Sequence, residues 1–271
     1  MTGEHYSIGD LLRVMQRLRD PQYGCPWDLE QTFQSIVPST LEECYELAET
    51  IEHKDYSHLA EELGDVLFQV VFYAQLGSEQ GLFQFNDIVG ILIEKLVRRH
   101  PHVFANGEIE GIVELKISSE EVKHSWEAIK KEERIERALH GALSDVPSAL
   151  PALPRAQKLQ KRAAQVGFDW PDISGVREKL TEELVELDKA LANGDKAEIE
   201  DELGDVLFSC VNLARHLKLD AETALRRSSL KFERRFNHLE QTLAQQGRSV
   251  TETDLATLET LWAESKTFDP I

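Results

Sequence analysis

Positive charge is in short supply. The 271-residue chain sets 30 Lys and Arg against 49 Asp and Glu, for a formal net charge of −19. Nucleic-acid binding relies on cations that neutralise phosphates, so DNA and RNA are not expected partners. A small phosphorylated ligand requires local cations or metal ions that invert the field at its site. Long apolar runs are missing too: no stretch of about 18 apolar residues occurs, and the first residues, MTGEHYSIGD, carry neither a basic segment nor an apolar one. The expectation is a cytoplasmic protein with no membrane association. Cysteine is scarce: Cys25, Cys44 and Cys210 form no CxxC pair and cannot all be bridged. Two of them stand in apolar stretches, where a reduced core thiol is the expected state. Strand-like alternation is weak everywhere, with GIVELKI at 111–117 as the exception.

Hydrophobic residues make up 41% of the chain, enough for ordinary cores in one or two domains. An eight-residue phrase recurs, EELGDVLF at 61–68 and DELGDVLF at 201–208. Around it Glu43, Glu46, Glu62 and Asp65 reappear 140 positions later as Glu183, Glu186, Glu202 and Asp205. Fainter echoes flank the pairs: MQRL at 15 and AQKL at 156, GCPW at 24 and GFDW at 167, KLVRR at 95 and KFERR at 231. The chain is therefore a tandem duplication of units too long for a solenoid repeat. An N-terminal helical domain is expected over 1–125, a connector helix and proline-bearing loop over 126–152, and a C-terminal helical domain over 153–271.

Each unit reads as helices, so the expected class is all-α, built as bundles. In the second unit a helix through Val176 to Ala192 should stop at Asn193-Gly194, and Asp195 with Glu198 resembles a capping arrangement that opens the next. That helix should run to about His216, a third from Asp220 to near Gly247, and a short fourth around Leu255 to Lys266.

Residues three apart on a helix are about 300° apart, so EExxE and ExxD each put two carboxylates on one face. A solvated face is the ordinary explanation for such pairs. Here the helices continue as VLFQVVFYAQL and VLFSCVNLA, apolar nearly all round, which predicts burial. Buried carboxylates must be paired or hold a metal. Packed antiparallel, the two helices bring four carboxylates together, and an all-oxygen donor set favours Mg²⁺ with room for a polyphosphate. Thr40 with Glu43 fits a capping box, a structural explanation available to the first copy alone. Gly64 and Gly204, costing about 1 kcal/mol each against alanine, are expected to permit close helix approach beside the Asp. Asn212, seven residues after Asp205, is expected to be a buried amide that meets a ribose or phosphate.

At these residues the chain resembles the MazG family of nucleoside triphosphate pyrophosphohydrolases, within the all-α NTP pyrophosphatase superfamily. The resemblance covers the tandem layout, both EExxE and ExxD pairs, KLVRRHPHVF in the first unit, and KFERRF with the later Trp262 in the second. It implies Mg²⁺-dependent hydrolysis of nucleoside triphosphates, ATP among them, to the monophosphate and diphosphate. It also implies a homodimer and a role in clearing or limiting nucleotides. Carried over by motif, Glu183, Glu186, Glu202 and Asp205 are the implied metal ligands and catalytic centre. Lys179, Lys231 and Arg235 are implied phosphate contacts, and Glu182 and Trp262 implied nucleotide contacts. Glu43, Glu46, Glu62 and Asp65 form a possible second metal site. Ser39 and Phe72 stand where the second unit has Lys179 and Asn212, so activity is expected mainly in the C-terminal unit, with a regulatory or dimer-stabilising role for the first. Three rivals differ. A narrower substrate such as dUTP or phosphoribosyl-ATP would leave the motifs unchanged. A ferritin-like redox protein wants Glu-x-x-His on facing helices, and Glu121-x-x-His124 lies in the connector. A non-catalytic helical adaptor would show no dependence on Mg²⁺.

Overall fold

The computed structural model describes residues 6–113, 117–136 and 141–268. Among them run eleven α-helices: α1 (Ile8–Leu18), α2 (Pro26–Glu30), α3 (Val37–Glu52), α4 (Leu59–Glu79), α5 (Phe85–Arg99), α6 (Ser119–Glu136), α7 (Ala152–Gln165), α8 (Ile173–Asn193), α9 (Lys196–His216), α10 (Ala221–Gln245) and α11 (Leu255–Phe268). No strand occurs among the described residues; the centre of GIVELKI, 114–116, lies outside them. The chain divides into two compact units, Met1–Glu132 and Glu133–Ile271, and α6 runs unbroken past position 125. Each unit is built on one antiparallel helix pair, α3 with α4 and α8 with α9, flanked by α1 in the first and by α7 and α10 in the second. The fold is an all-α tandem duplication.

Local chemistry sets the ends of the second pair. Gly194 stops α8 with φ 73°, a left-handed conformation that a side chain would disfavour, and its N–H donates to the Ala190 carbonyl at 3.0 Å. Asp195 then caps α9, accepting from the Ala197 N–H at 2.9 Å. Glu198 does not complete the expected capping arrangement; its carboxylate accepts from Asn193 Nδ2 at 3.2 Å and ties the two helix ends together.

Several expectations need correction. Helix α3 starts at Val37 with Pro38 in its first turn, and the Thr40 hydroxyl donates back to the Ile36 carbonyl at 3.0 Å. Glu43 therefore lies inside the helix and caps nothing, so the structural explanation fails for both copies. The apolar helices are buried along one side only: α4 buries Val71, Phe72 and Leu76, while Leu63, Leu67 and Val70 stay exposed. On α9, Leu203 and Leu207 are exposed likewise, because no helix among the described residues covers them. Cys44 and Cys210 are exposed for the same reason. A Cβ at Gly64 or Gly204 would meet nothing within 4 Å, so neither glycine serves a close helix approach within its unit.

The core of the first unit is Met15, Ile36, Val71, Phe72 and Leu76, with Leu11, Phe33, Phe68 and Phe85 packed on it. Arg19 locks α1 to α4 through a two-pronged pair with Glu79, Nε to Oε1 at 2.7 Å and Nη2 to Oε2 at 2.6 Å. In the second unit Leu239, Leu243 and Leu261 form a core between α10 and α11, joined by Val250, Leu258 and Trp262. Phe72 is fully buried. Its replacement by alanine should destabilise the first unit by about 3–5 kcal/mol, the range for emptying an aromatic core site, read as an earlier denaturant transition of that unit.

Candidate active site

The helix pair brings like charges together. Carboxylate oxygens of Glu183 and Glu186 on α8 and Glu202 on α9 lie within 4.8 Å of one another, and Glu43, Glu46 and Glu62 do the same in the first unit. The fourth acid of each set stands beside its triad: Asp205 and Asp65 are near enough to push their neighbours' pKa values up. Desolvation raises the Glu202 pKa first, followed by the charges of Glu186, Glu183 and Asp205. Desolvation again leads at Glu43, with Asp65 and Glu46 next, and at Glu62, with Glu46 and Asp65 next.

These sites fit a hard divalent cation. The donors are all carboxylate oxygens, Glu183 is 5% exposed, and Glu62 Oε2 is a buried atom with no hydrogen-bond partner. A cation between them would offset the mutual repulsion of the acids.

The two clusters have different surroundings. Lys179 Nζ pairs with both Glu182 and Glu183 at 2.9 Å, and these hydrogen bonds, Glu182 first, hold its pKa above the usual lysine value. Beside that cluster opens a cavity of about 640 Å³ lined by Glu183, Asp205 and Lys179 at one side. Phe168, Trp170 and Phe208 supply aromatic surface, and Gln160, Asn212 and Arg215 supply polar groups. The first cluster adjoins a hollow of about 420 Å³ without aromatic lining, bounded by Glu46, Glu49, Thr50, His53, Asp55, His58 and Glu62. Where the second unit has Asn212 and His216, the first has the buried core residues Phe72 and Leu76, so hydrophobic packing occupies the matching position.

Asn212 is half-buried, and its Oδ1 accepts from Arg215 Nε at 3.0 Å and Nη2 at 2.8 Å, so its acceptor is satisfied within its own helix. Lys231, Arg235 and Trp262 do not line the cavity. Trp262 packs against Phe232, ring centroids 5.1 Å apart, and joins the α10–α11 core. Glu182 reaches the site through Lys179. Sequence reasoning missed Gln160, Phe168, Asp169, Trp170 and Arg215; the GCPW and GFDW echo marked the aromatic loop without showing where it points.

That loop is strapped to α9. Arg215 Nη1 donates to Asp169 Oδ2 at 2.9 Å, Nη2 donates to Oδ1, and His216 Nε2 lies 3.0 Å from the same oxygen. Trp170 lies over α8, where a Cβ on Gly175 would come within 2.7 Å of its ring. The Arg215 hydrogen bonds, aided by His216 and opposed by desolvation, hold the Asp169 pKa at about 2. A depressed carboxyl stabilises the fold above its unfolded value of 3.8 and loses that contribution as pH falls towards 2. In an NMR titration the Asp169 carboxyl should stay ionised to about pH 2, and Arg215→Ala should return its midpoint towards 3.8.

Comparison with known proteins agrees with this architecture. The MazG nucleotide pyrophosphohydrolase domain matches residues 31–104 and 173–240, one segment in each unit. A nucleoside triphosphate pyrophosphohydrolase of Escherichia coli (strain K12) is 52% identical over 262 residues, covering 96% of this chain and 97% of its own. A nucleoside triphosphate pyrophosphohydrolase/pyrophosphatase MazG of Thermotoga maritima is 42% identical over 95% of this chain and 94% of its own. The Bacillus subtilis protein YabN is 42% identical over 97% of this chain but only 52% of its own length. With both helix pairs inside the matched segments and relatives aligned almost end to end, this chain belongs to the MazG nucleotide pyrophosphohydrolase family.

Proposed function

We propose that this chain is a Mg²⁺-dependent nucleoside triphosphate pyrophosphohydrolase, converting a nucleoside triphosphate and water to the monophosphate and diphosphate in the nucleotide pool of the cytoplasm. The observation that carries it is a carboxylate cluster on α8 and α9 opening into an aromatic-lined cavity of about 640 Å³. That volume suits a nucleoside, and the acids at its edge suit a metal-bound polyphosphate. The family match and the relatives' names support the same reading.

Glu183, Glu186, Glu202 and Asp205 would hold Mg²⁺, which offsets charge on phosphate oxygens and lowers the pKa of water. The protein's own groups do the rest. Lys179 borders both cluster and cavity, so its ammonium meets a phosphate entering beside Glu183. One carboxylate accepts a proton from water as the water oxygen bonds to phosphorus, and the phosphoanhydride bond breaks with departure of diphosphate. The aromatic side chains hold the nucleoside and exclude water from that side. Lys231 and Arg235, four apart on α10, are kept as candidates for the outer phosphates by motif; Trp262, a nucleotide contact by motif, sits in the α10–α11 core and not in this cavity. The first unit keeps its acids without the cavity, and its role in this reading is metal binding and dimer support.

Exposed Leu184, Leu203 and Leu207 on α8 and α9, repeated in kind by Leu63 and Leu67 on α4, support a homodimer formed through these faces. Leu207→Glu should shift the mass measured by light scattering from dimer towards monomer, and an unchanged dimer would exclude this face. For the chemistry, Glu202→Gln should lower diphosphate release by at least about 100-fold with the fold intact, while Glu62→Gln leaves most of it. Turnover in excess chelator, or release of orthophosphate instead of diphosphate, would refute the mechanism.

A further inference from the structure

The segment 141–150, GALSDVPSAL, reads from the sequence as a boundary between units, yet it belongs to the second unit and reaches that unit's cavity. Leu143 lines the cavity together with Leu159, Gln160 and Ala163 of α7. The turn around it is built locally: Ser144 Oγ donates to the Gly141 carbonyl at 2.9 Å, and the Val146 N–H donates to the Leu143 carbonyl at 3.2 Å. Asp145, between them, reaches outward and pairs with Arg162 Nη2 on α7. The Asp145 side chain is 21% exposed and that of Arg162 12%, so the pair is shielded from the water and salt that weaken surface pairs. Arg162 itself does not line the cavity. Pro147 and Pro151 restrict the backbone from Asp145 to α7, which lets one ion pair position the segment.

We infer that residues 141–150 form a latched flap on the cavity, with the Asp145–Arg162 pair as the latch and Leu143 as the side chain that a bound nucleotide is held against. Helices α7, α8 and α9 supply most of the lining, and two irregular segments complete it: this one, and the loop 167–170. Each is tied to a helix by an aspartate–arginine pair, Asp145 to Arg162 on α7 and Asp169 to Arg215 on α9. A largely buried ion pair is an expensive way to fasten a loop, because both charges give up water. What the first pair fixes is a leucine still 47% exposed. A single exposed leucine is ordinary. This one shares a cavity lining with Phe168, 82% exposed, and apolar surface left open around a cavity is surface for a ligand to cover. The contact offers no hydrogen bond, so it retains a nucleotide without regard to its base. Arg162 is a positioning residue, acting through Asp145 from outside the lining.

This inference rests on the nucleotide-hydrolase reading, so its test has one arm that needs no turnover. In that arm, hydrogen exchange of the amides in 142–150 is followed by mass spectrometry on the full chain, with and without adenosine. Adenosine should slow exchange of the segment in the wild type. Arg162→Ala should speed it at least about tenfold, and Arg162→Lys, which keeps the charge, should restore most of the protection. In the second arm kcat and KM are measured for the four nucleoside triphosphates and for methyl triphosphate, which brings no nucleoside to the flap. Leu143→Ala and Arg162→Ala should each raise KM at least about fivefold, by one factor for all four nucleotides, with little change in kcat. Methyl triphosphate should be cleaved at the wild-type rate, an outcome that a loosened fold would not give. Unchanged KM in both variants, an equal loss on methyl triphosphate, or exchange that responds to neither adenosine nor Arg162→Ala would overturn the inference. Protection by adenosine without hydrolysis of any triphosphate would overturn the hydrolase reading alone.

Discussion

Everything in the C-terminal unit depends on holding like charges closer than they would settle by themselves. The oxygens of Glu183, Glu186 and Glu202 sit within 4.8 Å of each other, a separation at which like charges repel. The scaffold resists this by joining α8 and α9 through a connection of two residues, Gly194 and Asp195, with the Asn193 to Glu198 hydrogen bond across it. Lys179 offsets part of the repulsion by pairing with Glu183. Desolvation and the neighbouring acids raise the proton affinity of Glu202, and the same electrostatics would favour a divalent cation. On the proposed Mg²⁺ reading, protons and metal would compete for one site, and a divalent cation would have the advantage of neutralising several acids together.

Duplication makes the consequences visible, because one scaffold carries two outcomes. All four acids survive in both units, yet the residues behind them have gone opposite ways. In the first, Phe72 and Leu76 complete a core with Met15, Ile36 and Val71. In the second the same helix positions hold Asn212 and His216, and a cavity stands beside the cluster. Core packing and ligand binding draw on the same volume, so a position can serve one or the other. Exchanging packed aromatic surface for polar groups removes hydrophobic stabilisation, and the second unit recovers some of it through the Asp169, Arg215 and His216 strap and through a separate core between α10 and α11.

The helices and the acid pairs were legible because their signals are local. Gly194 needed a left-handed conformation, Asp195 and Asp220 capped the helices that follow them, and i, i+3 spacing put carboxylates on one face. The capping box at Thr40 misled because Pro38 allows a helix start one turn earlier, after which the threonine hydroxyl turns to the Ile36 carbonyl. Burial of α4 and α9 was overestimated because an apolar pattern states what a face requires, not whether the same chain meets the requirement. The cavity was illegible for a different reason. Gln160 comes from α7, Trp170 from the loop before α8 and Asn212 from α9, and nothing in their spacing announces that they share a wall. GFDW, an echo of GCPW, was the available hint, but Pro26 and Trp27 open a helix in the first unit whereas 168–170 is loop in the second, so the echo did not give the ring's destination.

The exposed leucines bear on the charge problem as well. Leu203 follows Glu202, and Leu207 lies two residues after Asp205, so both are within a helical turn of the acids. A surface that covers them also removes water from the carboxylates and lowers the local dielectric, which strengthens their repulsion when the site is empty and their attraction for a cation when it is filled. On the proposed homodimer, assembly and ion binding are therefore thermodynamically linked: each is weakened by the other's absence and strengthened by its presence, by the same factor in either direction. The glycines fit this argument better than the one first assigned to them. Gly64 and Gly204 face open space within their units and are neighbours of the acids on the uncovered side, where a second copy would need room for its own backbone to approach.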